Sequence, residues 1–472
     1  MMKILCTLLL ITTYFSVGIS QEPARHYSND GYSLDITDDG ALSVMAIDMS
    51  SGKIVVAHNP DQRMTPASLT KLITTGAVLS ELDADYRYQT SFYLDKKNGQ
   101  NKLVVVGSGD PTFGSDRFDN TQPDSIFQQL YQRLKSKGIL KLNALIVDNS
   151  CYLGIRQPSK RLWEDIGNYY GAVPNGLTYR ENTFYMKMKS PNGVGEPVEI
   201  VNVEPDPGVD FSCLVKSAAN NKDSAYIYGH ADMSNWYVSG TIPQGRDAFS
   251  IQGALPHPEL TFADELANFL NKKGIEVLNI GKSNHADISF GEPIYLHFSP
   301  PLTEIVSVIN KTSHNLYADH LLFRLAEHKY GEASWDKGVS SVTEFWHGRI
   351  NDFSGAFYDG SGLSPFNAIC ASDMVEVLQV MHSGNNSEVF KQSLSIAGID
   401  GTLKSILRDD EFKGYFIGKS GSFNGVLGYC GYIDTKRGKT LAFCIIANRF
   451  TESYKELRGN MEMLMKEIIS QN

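Results

Sequence analysis

A chain of 472 residues is too long for one ordinary hydrophobic core and predicts two or three domains. With 42% hydrophobic and 20% charged residues it has a normal globular composition. A net charge of −10 argues against a nucleic-acid binder, which needs a basic face to neutralise phosphates.

Residues 1–20 read as a secretory signal. Lys3 supplies the positive start, 4–17 an apolar run, and Gly18 and Ser20 small residues suited to cleavage near Ser20. The run is short for a membrane span of roughly 20 apolar residues, so a cleaved leader is expected over an anchor. No later segment is long and apolar enough to span, so a mature protein exported without a stable membrane anchor is expected. Cys6 leaves with the leader. Five cysteines remain, with no CxxC or Cys/His cluster, so no metal is expected. Cys430 and Cys444 flank a predicted hairpin, either as a disulfide or as two buried thiols.

Short β-type runs at 42–48 and 53–58 flank a Met49-Ser-Ser-Gly52 turn. Helical spacing of Leu69, Leu72, Ile73, Leu79 and Leu82 follows, with Pro66 suited to a first turn. From about Tyr86 the pattern changes. A hairpin is predicted at 88–106, a helix at 125–137 and a strand at 142–147. A further helix at 262–273 ends like the first, Lys-Gly-Ile at 137–139 and again at 273–275. These two strand-and-helix units enclose a strand-rich stretch, 184–252, with frequent Gly, Pro and Asn turns. Helices are then predicted at 302–310, 316–328 and 372–382, and strands at 414–419, 425–434 and 440–447. In the last helix Leu457, Met461, Leu464 and Ile468 form one stripe. Its polar face is acidic, so packing on the sheet is expected over membrane binding.

Three short motifs point to chemistry. Ser68-Leu-Thr-Lys71 opens the first helix, so Ser68 and Lys71 share a face. A helix start favours negative charge, and a crowded cationic site lowers a lysine pKa until it can take a serine proton. The same spacing recurs at Ser50 and Lys53, where no helix positions it. Ser313-His-Asn315 lies between two predicted helices. There a hydroxyl relays protons and a carboxamide holds a substrate amide, although Asn315 also suits helix capping. Lys419-Ser420-Gly421, followed by Ser422, ends a β-type run. A cation, hydroxyls and a glycine on a strand edge can dock a substrate backbone and its terminal carboxylate, although a surface lysine before a turn reads the same.

Together, in this order, the motifs are the set used by penicillin-binding proteins and serine β-lactamases. The chain resembles the class C low-molecular-mass penicillin-binding proteins, the D-alanyl-D-alanine carboxypeptidase/endopeptidase family. Further matching stretches are Gly107-Ser-Gly-Asp-Pro-Thr112, Tyr169-Tyr-Gly-Ala172, Asp359-Gly-Ser-Gly-Leu-Ser364 and Ala397-Gly-Ile-Asp-Gly-Thr-Leu403. The resemblance implies an α/β (α+β) chain: a transpeptidase-like domain of antiparallel sheet and helices at 24–86 and 295–472, an inserted α/β domain at 87–183 and 253–294, and a small β-rich domain at 184–252 nested within it.

It also implies a serine peptidase of the bacterial periplasm that acts on peptidoglycan stem peptides, is acylated by β-lactam antibiotics and needs no cofactor. Ser68 would be the nucleophile, Lys71 the general base and Ser313 the proton shuttle. Asn315 would complete the catalytic set, and Lys419, Ser420, Gly421 and Ser422 would serve substrate binding. Asp148, in an Asp-x-Ser stretch, would meet a free amine of the stem peptide; an ordinary turn aspartate is the other reading. The resemblance carries no expectation of oligomeric state. Relatives usually have Lys-Thr-Gly where this chain has Lys-Ser-Gly, and often a basic or polar residue at the position of Pro365. A β-lactamase or esterase on the same plan, or a non-catalytic wall-binding relative, are the other functional readings.

Overall fold

The computed structural model describes residues 32–96, 99–152, 157–282 and 291–472. The leader expected at 1–20, with Cys6, lies outside the described residues.

The two ends of the chain meet in a six-stranded antiparallel sheet. Its order is Ser395–Ile396, Phe416–Phe423, Val426–Asp434, Thr440–Asn448, Ala41–Asp48, Ile54–His58. Side chains alternate across it with the period of two that a strand imposes. Val44, Phe443 and Ile445 face the C-terminal helix Tyr454–Gln471, whose Leu457, Met461, Leu464 and Ile468 are buried against them. Met45, Cys444 and Ile446 face the opposite layer, where Leu72 and Ile73 of helix Thr70–Glu81 meet Met374 and Leu378 of helix Ala371–Ser383. Helices Leu302–Thr312, Asn315–Tyr330 and Trp335–His347 complete that layer. Cys430 and Cys444 stand directly opposite each other in register. Both are buried free thiols.

A five-stranded mixed sheet is built from Ile280–Lys282, Ala144–Asp148, Lys102–Val106, Gln89–Asp95 and Tyr295–Phe298. The chain enters it at Gln89–Asp95 and leaves it at Tyr295–Phe298, which are antiparallel neighbours. Helices Pro123–Ser136 and Pro258–Lys272 cover the sheet through Phe127, Leu130, Phe262 and Leu266. Both helices stop alike. Gly138 and Gly274 take left-handed φ of 70° and 85°, and Ile139 and Ile275 return N–H bonds to Leu134 and Leu270. Between them, residues 183–254 form two three-stranded sheets around Phe184, Met186, Trp236 and Val238.

The structure differs from the sequence expectation in three elements. Helix Trp335–His347 carried no clear signal. Helix Pro258–Lys272 starts earlier than expected, with Pro258 in its first turn. Strand Phe416–Phe423 runs on past Lys419, so the Lys-Ser-Gly stretch lies within a strand and not at its end. No helix among the described residues is long and apolar enough to cross a membrane.

Candidate active site

Ser68 sits in a short 3₁₀ turn, Ala67–Leu69, that leads directly into helix Thr70–Glu81. Ala67 takes a left-handed φ of 48°, a strained backbone for an alanine. The turn is clamped against the sheet. A Cβ added at Gly421 would lie 2.5 Å from the Pro66 carbonyl oxygen and 3.0 Å from the Leu69 nitrogen. Gly421 therefore lets strand Phe416–Phe423 approach the serine turn, a role beyond the substrate contact expected from sequence.

Lys71, one helical turn on, is fully buried. Its Nζ lies 3.0 Å from Ser68 Oγ, 2.7 Å from Asn315 Oδ1 and 2.6 Å from the Ser361 carbonyl oxygen. The last two partners only accept hydrogen bonds. A neutral amine has two N–H donors and one lone pair, so satisfying both acceptors leaves the lone pair facing the one partner that can donate, the Ser68 hydroxyl. Burial pulls the Lys71 pKa down to about 7, Asp319 and Asp359 push it back up, and Arg161 lowers it.

Asn315 is oriented from its other end. Its Nδ2 donates to the Tyr170 carbonyl at 2.9 Å, so Oδ1 points at the lysine. Helix Asn315–Tyr330 is capped by His314 and not by Asn315. Ser313 closes helix Leu302–Thr312 in the left-handed conformation, φ 61° and ψ 38°. With Ser68, His314, Asn315 and Ser422 it lines one cleft of about 610 Å³. His314 Nε2 lies 3.0 Å from Glu181 Oε2, and Glu181 also accepts from Arg117 Nε at 2.6 Å and Tyr317 OH at 2.9 Å. Burial alone would raise the Glu181 pKa, but His314 and Arg117 outweigh it and hold the carboxyl well below the usual range.

Lys419 is buried within its strand, with Nζ donating to the Ser420 carbonyl at 2.8 Å. Burial, and then the charge of Lys71, push its pKa well below the ordinary value. Ser395–Ile396 pairs only with Ile417 and Gly418, so among the described residues no strand covers the 419–423 edge on that side. Ser420 is half-buried and Ser422 exposed.

A buried ion cluster lies beneath these groups, and of its three members only Asp359 fell in a stretch singled out from sequence. Arg161 Nη2 lies 2.7 Å from Asp319 and 3.4 Å from Asp359, with all three side chains fully withdrawn from solvent. Asp359 accepts the N–H groups of Gly362 and Ser364, at 2.9 and 2.8 Å, and so shapes the loop whose Ser361 carbonyl holds Lys71.

Asp148 fits the second of its two sequence readings, an ordinary turn aspartate. It is 1% exposed and does not line the cleft. Its Oδ1 accepts from Ser150 N at 2.9 Å and Ser150 Oγ at 2.6 Å, the geometry of an aspartate closing its own turn. The insertion's acidic residues that do line the cleft are Glu164, Asp165 and Glu181. Burial, and then Glu164, raise the Asp165 pKa to about 6. Pro365 also lines the cleft. No group of three or more His, Cys, Asp or Glu side chains among the described residues is arranged to hold a metal ion.

A serine at a helix start, a buried lysine turned toward it and an antiparallel sheet with an open edge define a serine acyl-transfer enzyme of the transpeptidase-like fold. Residues 34–468 match the model of the D-Ala-D-Ala carboxypeptidase 3 (S13) family. The chain belongs to that family and is a serine-type D-alanyl-D-alanine carboxypeptidase. It is 26% identical over 430 residues to the D-alanyl-D-alanine carboxypeptidase DacB of Haemophilus influenzae, covering 87% of this chain and 86% of the relative. It is also 26% identical over 444 residues to the D-alanyl-D-alanine carboxypeptidase of Actinomadura sp. strain R39, covering 87% and 78%. Among solved structures, penicillin binding protein 4 of Haemophilus influenzae superposes with a TM-score of 0.78 at 24% identity, over 92% of this chain and 96% of that one.

Proposed function

We propose that Ser68 is the nucleophile that attacks the carbonyl between two D-alanines, or at a D-alanyl cross-link, of a peptidoglycan stem peptide. Neutral Lys71 takes the Ser68 proton as the bond forms. The negative charge that develops on the carbonyl oxygen is met by N–H groups of Ser68 and of the strand after Lys419, with the start of helix Thr70–Glu81 adding a favourable dipole. Collapse breaks the peptide bond, and Ser313 passes a proton to the departing amine. Water then hydrolyses the acyl-enzyme and frees Ser68. The three contacts of the Lys71 amine carry this reading.

The open 419–423 edge supports docking of the substrate backbone as an added strand. The terminal carboxylate supplies a counter-charge that buried Lys419 does not have among the described residues, with the Ser420 and Ser422 hydroxyls beside it. Asn315 keeps Lys71 oriented and flanks the same cleft. Glu164 and Asp165 offer negative charge to a free amine on the stem peptide, the role expected from sequence for Asp148. The catalytic domain spans 24–86 and 295–472, the insertion 87–183 and 253–294, and the nested module 184–252; the separate hydrophobic clusters of these segments support that division. A cleaved leader would deliver the mature chain to the periplasm. β-Lactams acylate the same serine; a penicillin binding protein 4 structure that superposes with a TM-score of 0.75 holds a β-lactam.

The decisive experiment is mass spectrometry of the protein after benzylpenicillin, with digestion to locate the adduct, alongside product analysis on defined muropeptides. An adduct on the peptide containing Ser68, and release of D-alanine from a pentapeptide, are expected. An adduct elsewhere would overturn the assignment.

A further inference from the structure

A second cavity of about 450 Å³ adjoins the active-site cleft and shares four of its wall residues, Arg117, Glu181, Thr183 and Tyr185. Strand Thr183–Ser190 joins the two spaces. Phe184, Met186 and Met188 point into the core, so Thr183, Tyr185 and Lys187 form the outward row. Thr183 and Tyr185 line both spaces, and Lys187 lines the second alone. At about 3.3 Å per residue the row runs about 13 Å, the reach of about four residues of extended peptide.

The charges of this second space fall into two sets. Arg117 with Glu181, and Arg180 with Glu265, are paired with each other and form a neutral lining. Asp116, Lys187 and Glu204 are exposed and, among the described residues, form no ion pair. Across the strands Lys187 faces Asn202 and Tyr185 faces Glu204. The unspent Lys187 cation suits a free carboxylate, and the Asp116 and Glu204 carboxylates can accept the N–H groups of a peptide backbone.

We propose that this groove is a subsite for the second peptide strand of a cross-linked substrate, a strand whose side-chain amine is spent in the cross-link and whose carboxylates are free. The proposal rests on the reading of Ser68 as the peptidase nucleophile. A simple pentapeptide fills the cleft and leaves the groove empty. A cross-linked dimer carries a second stem away from the scissile bond, and the Thr183–Tyr185–Lys187 row gives that stem a path.

The test compares kcat/KM on a monomeric pentapeptide and on a cross-linked muropeptide dimer, for the full chain and two variants. Lys187→Glu reverses the unspent cation, and Asn202→Trp fills the groove from an exposed position. Each is expected to lower kcat/KM on the dimer by about tenfold and to change it less than twofold on the pentapeptide, with an unchanged melting temperature. Equal change on both substrates, no change on either, or no cleavage of the dimer by the unaltered enzyme would overturn the subsite. Failure of the unaltered enzyme on the pentapeptide as well would instead remove the peptidase reading on which it rests.

Discussion

The Arg161 guanidinium lies 2.7 Å from the Asp319 carboxylate, across 158 residues of sequence, with both side chains sealed from solvent. The pair, with Asp359, underlies the loop that holds Lys71. Arg161→Met leaves two buried carboxylates without their cation and should cost about 3–5 kcal/mol of stability. It also removes a positive charge that lowers the Lys71 pKa, so the pH limb of penicillin acylation should move to higher pH. Arg161→Lys keeps the charge and should keep the limb in place. An unchanged limb and melting temperature in Arg161→Met would remove Arg161 from this positioning role.

Acylation of the unaltered enzyme should rise with pH through about 7, because only the neutral Lys71 amine has a free lone pair. One pH unit below that value about a tenth of the amines are neutral, and one unit above, about nine-tenths. Stopped-flow acylation between pH 5.5 and 8.5 reads this directly, and a flat profile would contradict it. Ser68→Ala should abolish labelling by a fluorescent penicillin without changing the fold.

Lys419→Ala should reduce kcat/KM on carboxylate-bearing peptides by about tenfold to a hundredfold, the worth of a charge-assisted contact of about 1.5–3 kcal/mol. Lys419→Arg should lose less, since it keeps the cation. Peptide amides lacking the terminal carboxylate should be nearly insensitive to either change. Equal sensitivity of acid and amide substrates would point to a packing role for this buried side chain.

Asp148 and Asp165 should behave in opposite ways. Asp148→Asn weakens its own turn and should lower the melting temperature, with equal losses on substrates with and without a free side-chain amine. Asp165→Asn should reduce kcat/KM only for stem peptides bearing that amine. The Asp165 preference should also fade as pH falls through about 6, where its carboxyl takes up a proton and loses its charge. Selectivity that stays constant from pH 5 to 8 would exclude Asp165.

Gly421→Ala should slow acylation far more than its size implies. The new Cβ meets backbone, not a flexible side-chain end, so the Ser68 turn must shift. The loss should appear in the acylation rate for every acyl donor alike. A variant with normal acylation would show that the turn has room to give.

The parts of the site that sequence revealed are those where chemistry limits residue choice within a few positions. Ser68 with Lys71, Ser313 with Asn315, and Lys419 with Gly421 are such groups, and the structure brings Ser68, Lys71 and Asn315 within hydrogen-bonding distance. Arg161 and Asp319 left no local trace because they pair across a long separation, and Asp359, although it opens a matching stretch, gave no sign of that pairing. Asp148 kept two readings because an aspartate that reaches a substrate and one that binds Ser150 look identical in a short stretch. Helix Trp335–His347 was hidden by Gly338, Val339, Val342 and Thr343, poor helix formers. Packing overrides propensity there: a Cβ at Gly338 would lie 2.6 Å from Leu322 Cγ, so the glycine lets the two helices meet.

The Tyr170 carbonyl that orients Asn315, and the Arg161 side chain beneath Lys71, both come from the long excursion between strands Gln89–Asp95 and Tyr295–Phe298. The excursion is therefore part of the catalytic apparatus, because two of the groups that set the Asn315 and Lys71 surroundings reach in from it. Trimming the excursion to make a minimal enzyme would take away the carbonyl that aims Asn315 and the cation beneath Lys71 together.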